Sequence, residues 1–117
     1  MIQTGMLGDR AEKLANKYLK QQGLKSLSHN FHCRFGEIDL IMQDSDYLVF
    51  VEVRYRTNQN FGGAIESIDH FKQAKLRRAA ESYLLKTKKH DCPCRFDILC
   101  LTGNLNKPEI DWIKNAF

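Results

Sequence analysis

The chain has 117 residues, 43% of them hydrophobic and 27% charged, the size and balance of one globular domain spanning residues 1–117 with a core that needs no disulfide staples. Eighteen Lys and Arg against 14 Asp and Glu give a net charge of +4, which favours polyanionic partners without demanding one. No apolar run reaches the ~18 residues of a membrane span and no signal pattern opens the chain, so a membrane partner is excluded and a cytoplasmic location expected.

In chain order, the first element is an amphipathic helix from about Leu7 to Gln22, in which Leu7, Ala11, Leu14, Ala15, Tyr18 and Leu19 recur at helical spacing and Gly23 is the stop. Leu24 to Arg34 reads as a strand with an irregularity at His29-Asn30, and Phe35-Gly36 turns into a second strand, Glu37 to Met42. Strict alternation puts Ile38, Leu40 and Met42 on one face of that strand, and Glu37, Asp39 and Ile41 on the other. Asp44-Ser45-Asp46 is turn chemistry.

Tyr47 to Tyr55 is the strongest strand, apolar on both faces apart from Glu52, and therefore central in its sheet. A loop over residues 56–64 containing Gly62-Gly63 follows, then a helix from about Ser67, its expected N-cap, to Lys86, with Leu76, Ala79, Ala80, Tyr83 and Leu84 on one face. Arg95 to Leu101 is a further strand and Ile110 to Ile113 a candidate edge strand. The expected fold class is α/β, a mixed central sheet flanked by helices in the order α-β-β-β-α-β.

An ionised Glu52 in a two-sided apolar strand costs several kcal/mol unless cations or donors compensate it. Arg54, on the same strand face, is one such compensation. A hairpin centred on Asp44 to Asp46 sets Asp39 across from Glu52 within one register step, so two carboxylates meet on neighbouring strands. A divalent cation between them is the simplest offset for that repulsion. Magnesium suits it, because it accepts one or two carboxylates and fills its shell with water and phosphate oxygens. Glu37, on the same strand face as Asp39, and Glu12, on the exposed side of the first helix, are available as extra acids, each more often simply a solvated charge.

Cys92-Pro93-Cys94 with His90, and His29, His32 and Cys33 elsewhere, offer zinc ligands. The one-residue gap between the cysteines is not the usual knuckle spacing, so Cys33, Cys92, Cys94 and Cys100 are expected as free thiols.

The run Gly36-Glu37-Ile38-Asp39-Leu40-Ile41, then Phe50-Val51-Glu52-Val53-Arg54-Tyr55-Arg56, then Arg95-Phe96-Asp97 resembles the YraN family of bacterial proteins. Gly8, Glu12, Gly62-Gly63 and Lys72-Gln73 extend the resemblance over nearly the whole chain. That family is similar in turn to the PD-(D/E)XK nucleases, which include restriction endonucleases and Holliday-junction resolvases. The resemblance implies a restriction endonuclease-like core and a magnesium- or manganese-dependent endonuclease acting on DNA, branched DNA included. It makes Asp39 and Glu52 metal ligands with the Val53 carbonyl a third, and adds Glu12 and Gln73 as accessory catalytic residues.

The lysine of the pattern falls on Arg54. Arginine stays protonated, so it could steady a phosphate but not act as a base; Lys72 or Lys75 from the second helix is the alternative source. Arg54, Arg56, Lys72, Lys75, Arg77 and Arg78 form the expected nucleic-acid-binding set. Two other functions stand beside the nuclease: a non-catalytic nucleic-acid-binding module that keeps the fold, and a scaffold whose acids merely pair with Arg54 and Arg56. A homodimer is suggested by fold-level analogy alone.

Overall fold

The structure, a computed structural model, describes residues 5–58 and 68–117. Helix α1 (Gly5–Gln21) is followed by strands β1 (Lys25–Cys33), β2 (Gly36–Asp44) and β3 (Tyr47–Arg56), helix α2 (His70–Thr87), and strands β4 (Cys94–Thr102) and β5 (Glu109–Ile113). The five strands lie in chain order across one sheet. β3 and β4 are parallel and every other neighbouring pair is antiparallel. A mixed α/β fold was expected, and β5 now closes the edge beside β4. Gly62, Gly63 and Ser67 lie outside the described residues.

Each helix covers one face of the sheet. Ala11, Ala15 and Leu19, one helical face four residues apart, bury α1 against Leu40, Met42, Val49, Val51, Val53, Leu99 and Leu101. Leu76, Ala79, Ala80 and Tyr83 bury α2 against Ile38, Ile41, Phe50, Phe96 and Ile98. The small alanines let both helices approach closely, and aromatic rings fill the α2 side, where Phe50 stacks on Phe96 at 5.4 Å and meets Tyr83 edge-on at 6.0 Å. Both faces of β3 are therefore dry, which is why its apolar residues run without alternation.

The caps follow from local chemistry. Gly23 adopts φ 101°, and the amides of Gly23 and Leu24 turn back to the carbonyls of Lys20 and Leu19, both at 3.0 Å, ending α1 in a left-handed turn that glycine enters without penalty. At the start of α2 the side chain of Asp69 accepts from the Lys72 amide at 2.8 Å, so the cap is Asp69 and not Ser67.

The α1 face also holds a polar staple. Asp97 is 0% exposed, and its carboxylate accepts from Arg95 Nε at 3.1 Å, Trp112 Nε1 at 2.9 Å and the Asn115 amide at 3.0 Å. Arg95 also reaches Asp44 at 2.9 Å. This network ties the β2–β3 turn, β4 and the chain beyond β5 together, so Asp97 has a structural task.

Candidate metal and phosphate centre

The β2–β3 ladder is regular from Asp44↔Tyr47 to Leu40↔Val51. One residue further, the Val53 amide donates to Oδ2 of Asp39 at 2.8 Å. A side chain here receives the bond that a backbone carbonyl accepts elsewhere in a ladder, and Asp39 is drawn into the seam between the two strands.

On the other edge of β2, the β1 pairs His29↔Leu40 and Phe31↔Ile38 flank Asn30 and Asp39. Asn30 has φ 51°, a left-handed conformation that asparagine tolerates better than most residues. The strand faces change over at this point. Ile38 packs on the α2 side whereas Leu40 and Met42 pack on the α1 side, which corrects the expected grouping of Ile38 with Leu40 and Met42 and of Ile41 with the acids. Alternation breaks between Ile38 and Leu40, beside the left-handed Asn30 on β1, while the register shift of this ladder lies further along, between Ser26 and Ser28.

With its amide nitrogen turned inward, Asn30 donates to Glu12 Oε1 at 2.8 Å and to Glu37 Oε1 at 3.0 Å. Glu12 from α1 is also hydrogen-bonded to Asp39, and its carboxyl is raised by burial, then by Glu37 and Asp9. The Asp39 carboxyl is pushed up to about 8, first by burial and then by the Glu52 charge, with Glu12 and Glu37 adding to the rise and the Val53 amide opposing it. Sequence reasoning saw Asn30 as an irregularity and missed it as the residue that gathers these acids. A cavity of about 360 Å³ opens beside them, lined among others by Asp9, Glu12, Asn16, His29, Asn30 and Leu40.

Glu52 faces the α2 side and is 6% exposed. Its Oε2 lies 3.2 Å from Arg54 Nη2 and 3.6 Å from Lys72 Nζ, so the buried charge is offset by two cations. The Arg54 pairing follows from strand periodicity, while the Lys72 pairing depends on where Asp69 starts α2. Gln73 turns its amide to the Ile68 carbonyl at 3.2 Å and so supports that same helix start.

The remaining basic residues divide. Lys75 packs beside the β1–β2 turn, where a Cβ placed on Gly36 would lie 4.0 Å from its own. Arg78 lies over the Phe35 ring at 5.8 Å. Arg77 points to the other flank of α2, over Phe96 at 5.2 Å and Phe117 at 5.6 Å. The expected single cluster is therefore corrected: helical geometry separates Arg77 from Lys75 and Arg78. Arg56 ends β3, where its carbonyl accepts from the Gly103 amide at 2.9 Å.

The four cysteines are free thiols. Among the described residues no three His, Cys, Asp or Glu side chains stand close enough together to hold a metal ion. An ion at the seam would thus be held by Asp39 and Glu52 and finished by water and phosphate oxygens, a mode that suits magnesium. The donor chemistry fits: two carboxylates on adjacent strands are close enough for the charge of one to hinder ionisation of the other, and a cation relieves that repulsion. Val53 contributes its N–H to Asp39.

Residues 11–101 match the model of a family described as "Uncharacterised protein family UPF0102". A UPF0102 protein of Nitrosomonas eutropha is 55% identical over 117 residues, covering 100% of this chain and 97% of that protein. A UPF0102 protein of Legionella pneumophila is 50% identical over 94% of this chain and 92% of its own length. One from Nitrosomonas europaea is 50% identical over 100% of this chain and 98% of its own.

Proposed function

From the premise that the chain belongs to the UPF0102 family, we propose that the β2–β3 seam is the centre of a metal-dependent endonuclease acting on DNA phosphodiesters, branched DNA among them, on a restriction endonuclease-like core. The observation that carries this function is Lys72 Nζ at 3.6 Å from Glu52 Oε2. An ammonium group stands beside the second acid although the strand position of the PD-(D/E)XK pattern holds Arg54.

The residues divide the work by their chemistry. Asp39 and Glu52 would hold magnesium or manganese, which when bound activates water and neutralises charge on the phosphate. Lys72 and Arg54, both donors, face the side of Glu52 and would stabilise the negative charge that grows on the phosphoryl oxygens. Arg54 cannot give up its proton, so it holds the phosphate and takes no part in proton transfer. Glu12, hydrogen-bonded to Asp39, positions that carboxylate and can carry a proton at the seam. Gln73 acts through the start of α2 rather than on the substrate.

A nucleic-acid-binding module without turnover is the second function. It is favoured by the close pairing of Glu52 with two cations, since a satisfied carboxylate has less need of a metal.

The deciding experiment is calorimetric titration of magnesium and manganese into wild type and Asp39→Ala, followed by cleavage of labelled linear and branched DNA. Metal binding lost in the variant, with cleavage by wild type, is the expected result. No metal binding and no cleavage would leave the binding module in its place.

A further inference from the structure

We propose that one flank of α2 together with the β1–β2 turn is a platform for unpaired nucleic acid, on which Phe71 stacks an exposed base while Arg34, Lys75 and Arg78 hold the backbone. This rests on the seam being a nucleic-acid site, and it names the form of nucleic acid the site takes: a single-stranded segment beside the reacting phosphate.

Phe71 is 80% exposed in the first turn of α2, an unusual place for a large apolar ring. Phe71, Lys75 and Arg78 are spaced as neighbours on one helix face, and the stretch from Phe71 to Arg78 is about 10 Å long, room for a short run of nucleotides. The turn meets this face at Gly36, beside Lys75. Phe35 there lies under two guanidinium groups, Arg34 at 4.8 Å and Arg78 at 5.8 Å, which fixes both charges at the mouth of the strip.

Lys72, a helical neighbour of Lys75 at i,i+3, reaches Glu52, so the strip borders the proposed centre. The chemistry selects its occupant. Three cations on one strip call for a polyanion, and an exposed ring among them calls for a flat apolar surface to cover it. A duplex keeps its base faces stacked inside and offers that ring nothing, whereas an unpaired strand offers both phosphates and free base faces. Phe35 orders Arg34 and Arg78, and Phe71 is the ring left to stack.

The test is fluorescence anisotropy of a short labelled single-stranded DNA and the matching duplex, measured in EDTA so that cleavage plays no part. Wild type should bind the single strand, Phe71→Ala should weaken it by about 5- to 150-fold, and duplex binding should change by less than about twofold. Phe71→Trp should retain single-strand binding, and Arg78→Glu should weaken both forms through the phosphates. Wild type that binds DNA with no response to Phe71→Ala, or with equal loss on single strand and duplex, overturns the platform and leaves the seam untouched. A Phe71-dependent dimer in sedimentation also overturns it, because the ring would then be a contact between copies. A chain that binds neither DNA overturns the platform and the nucleic-acid function together, whereas single-strand binding that depends on Phe71 without magnesium-dependent cleavage upholds the platform and removes the nuclease.

Discussion

The amide of Val53 donates to Oδ2 of Asp39 across 2.8 Å, so one carboxylate both completes the β2–β3 pairing and stands next to Glu52. The two tasks conflict electrostatically, and pH should expose the conflict. With the folded Asp39 carboxyl pushed up to about 8 against about 3.9 in an unfolded chain, the folded state holds a proton there that the unfolded state has released. Stability then falls as pH rises through that window, by at most about 1.4 kcal/mol per unit from this group. Asp39→Asn keeps an acceptor for Val53 and has no such proton, so its urea-denaturation stability should vary less between about pH 5 and pH 8. Identical slopes for the two proteins would remove this account.

Lys72 and Arg54 can be separated by their surroundings. The Lys72 side chain is 39% exposed and that of Arg54 14%. Lys72→Met should change stability by less than about 1 kcal/mol yet lower cleavage by about 100-fold or more. Arg54→Ala should destabilise by about 1–3 kcal/mol, because Glu52 loses its closer partner inside the protein. Full turnover in Lys72→Met would transfer the phosphate-facing role to Arg54.

Asn30 joins two functions that a pair of substitutions can divide. Asn30→Ala should cost about 1–2 kcal/mol from the left-handed backbone, beyond the loss of the donors to Glu12 and Glu37. Asn30→Gly relieves the backbone and still lacks those donors. The glycine variant should therefore be the more stable of the two in denaturant, while both lose magnesium affinity to a similar extent by calorimetry. A glycine variant no more stable than the alanine one would mean that the φ of 51° carries no strain.

Asp97 supplies the contrast. Replacing it with alanine strands the Trp112 indole and the Asn115 amide and leaves the Arg95 guanidinium with Asp44 alone, and should cost about 3–5 kcal/mol in chemical denaturation. Cleavage per folded molecule should be unchanged. A selective loss of cleavage with normal stability would move Asp97 into the functional centre.

The strands and both helices were legible because their apolar spacing is strong, and the placement of Asp39 near Glu52 followed from the tight turn between their strands. The face change within β2 was not, since it falls where Asn30 is left-handed and the Asp39 side chain enters the seam, and alternation encodes neither. Ser67 was a reasonable cap by residue type, yet Asp69 stands at the position from which a side chain reaches the Lys72 amide. The separation of Arg77 from Lys75 and Arg78 could have been read from helical angles alone. That Lys72 rather than Lys75 reaches Glu52 could not, because it depends on how α2 sits on the sheet.

The seam hydrogen bond also bears on how such a chain would drift. An asparagine at position 39 would satisfy the Val53 amide equally well and escape the repulsion from Glu52, so selection for folding alone has an easy replacement one base change away in the codon. A lineage that had abandoned its chemistry would be free to take that step. Shape at position 39 is therefore indifferent to the exchange of aspartate for asparagine, and what separates the two residues is the ability to ionise beside a cation.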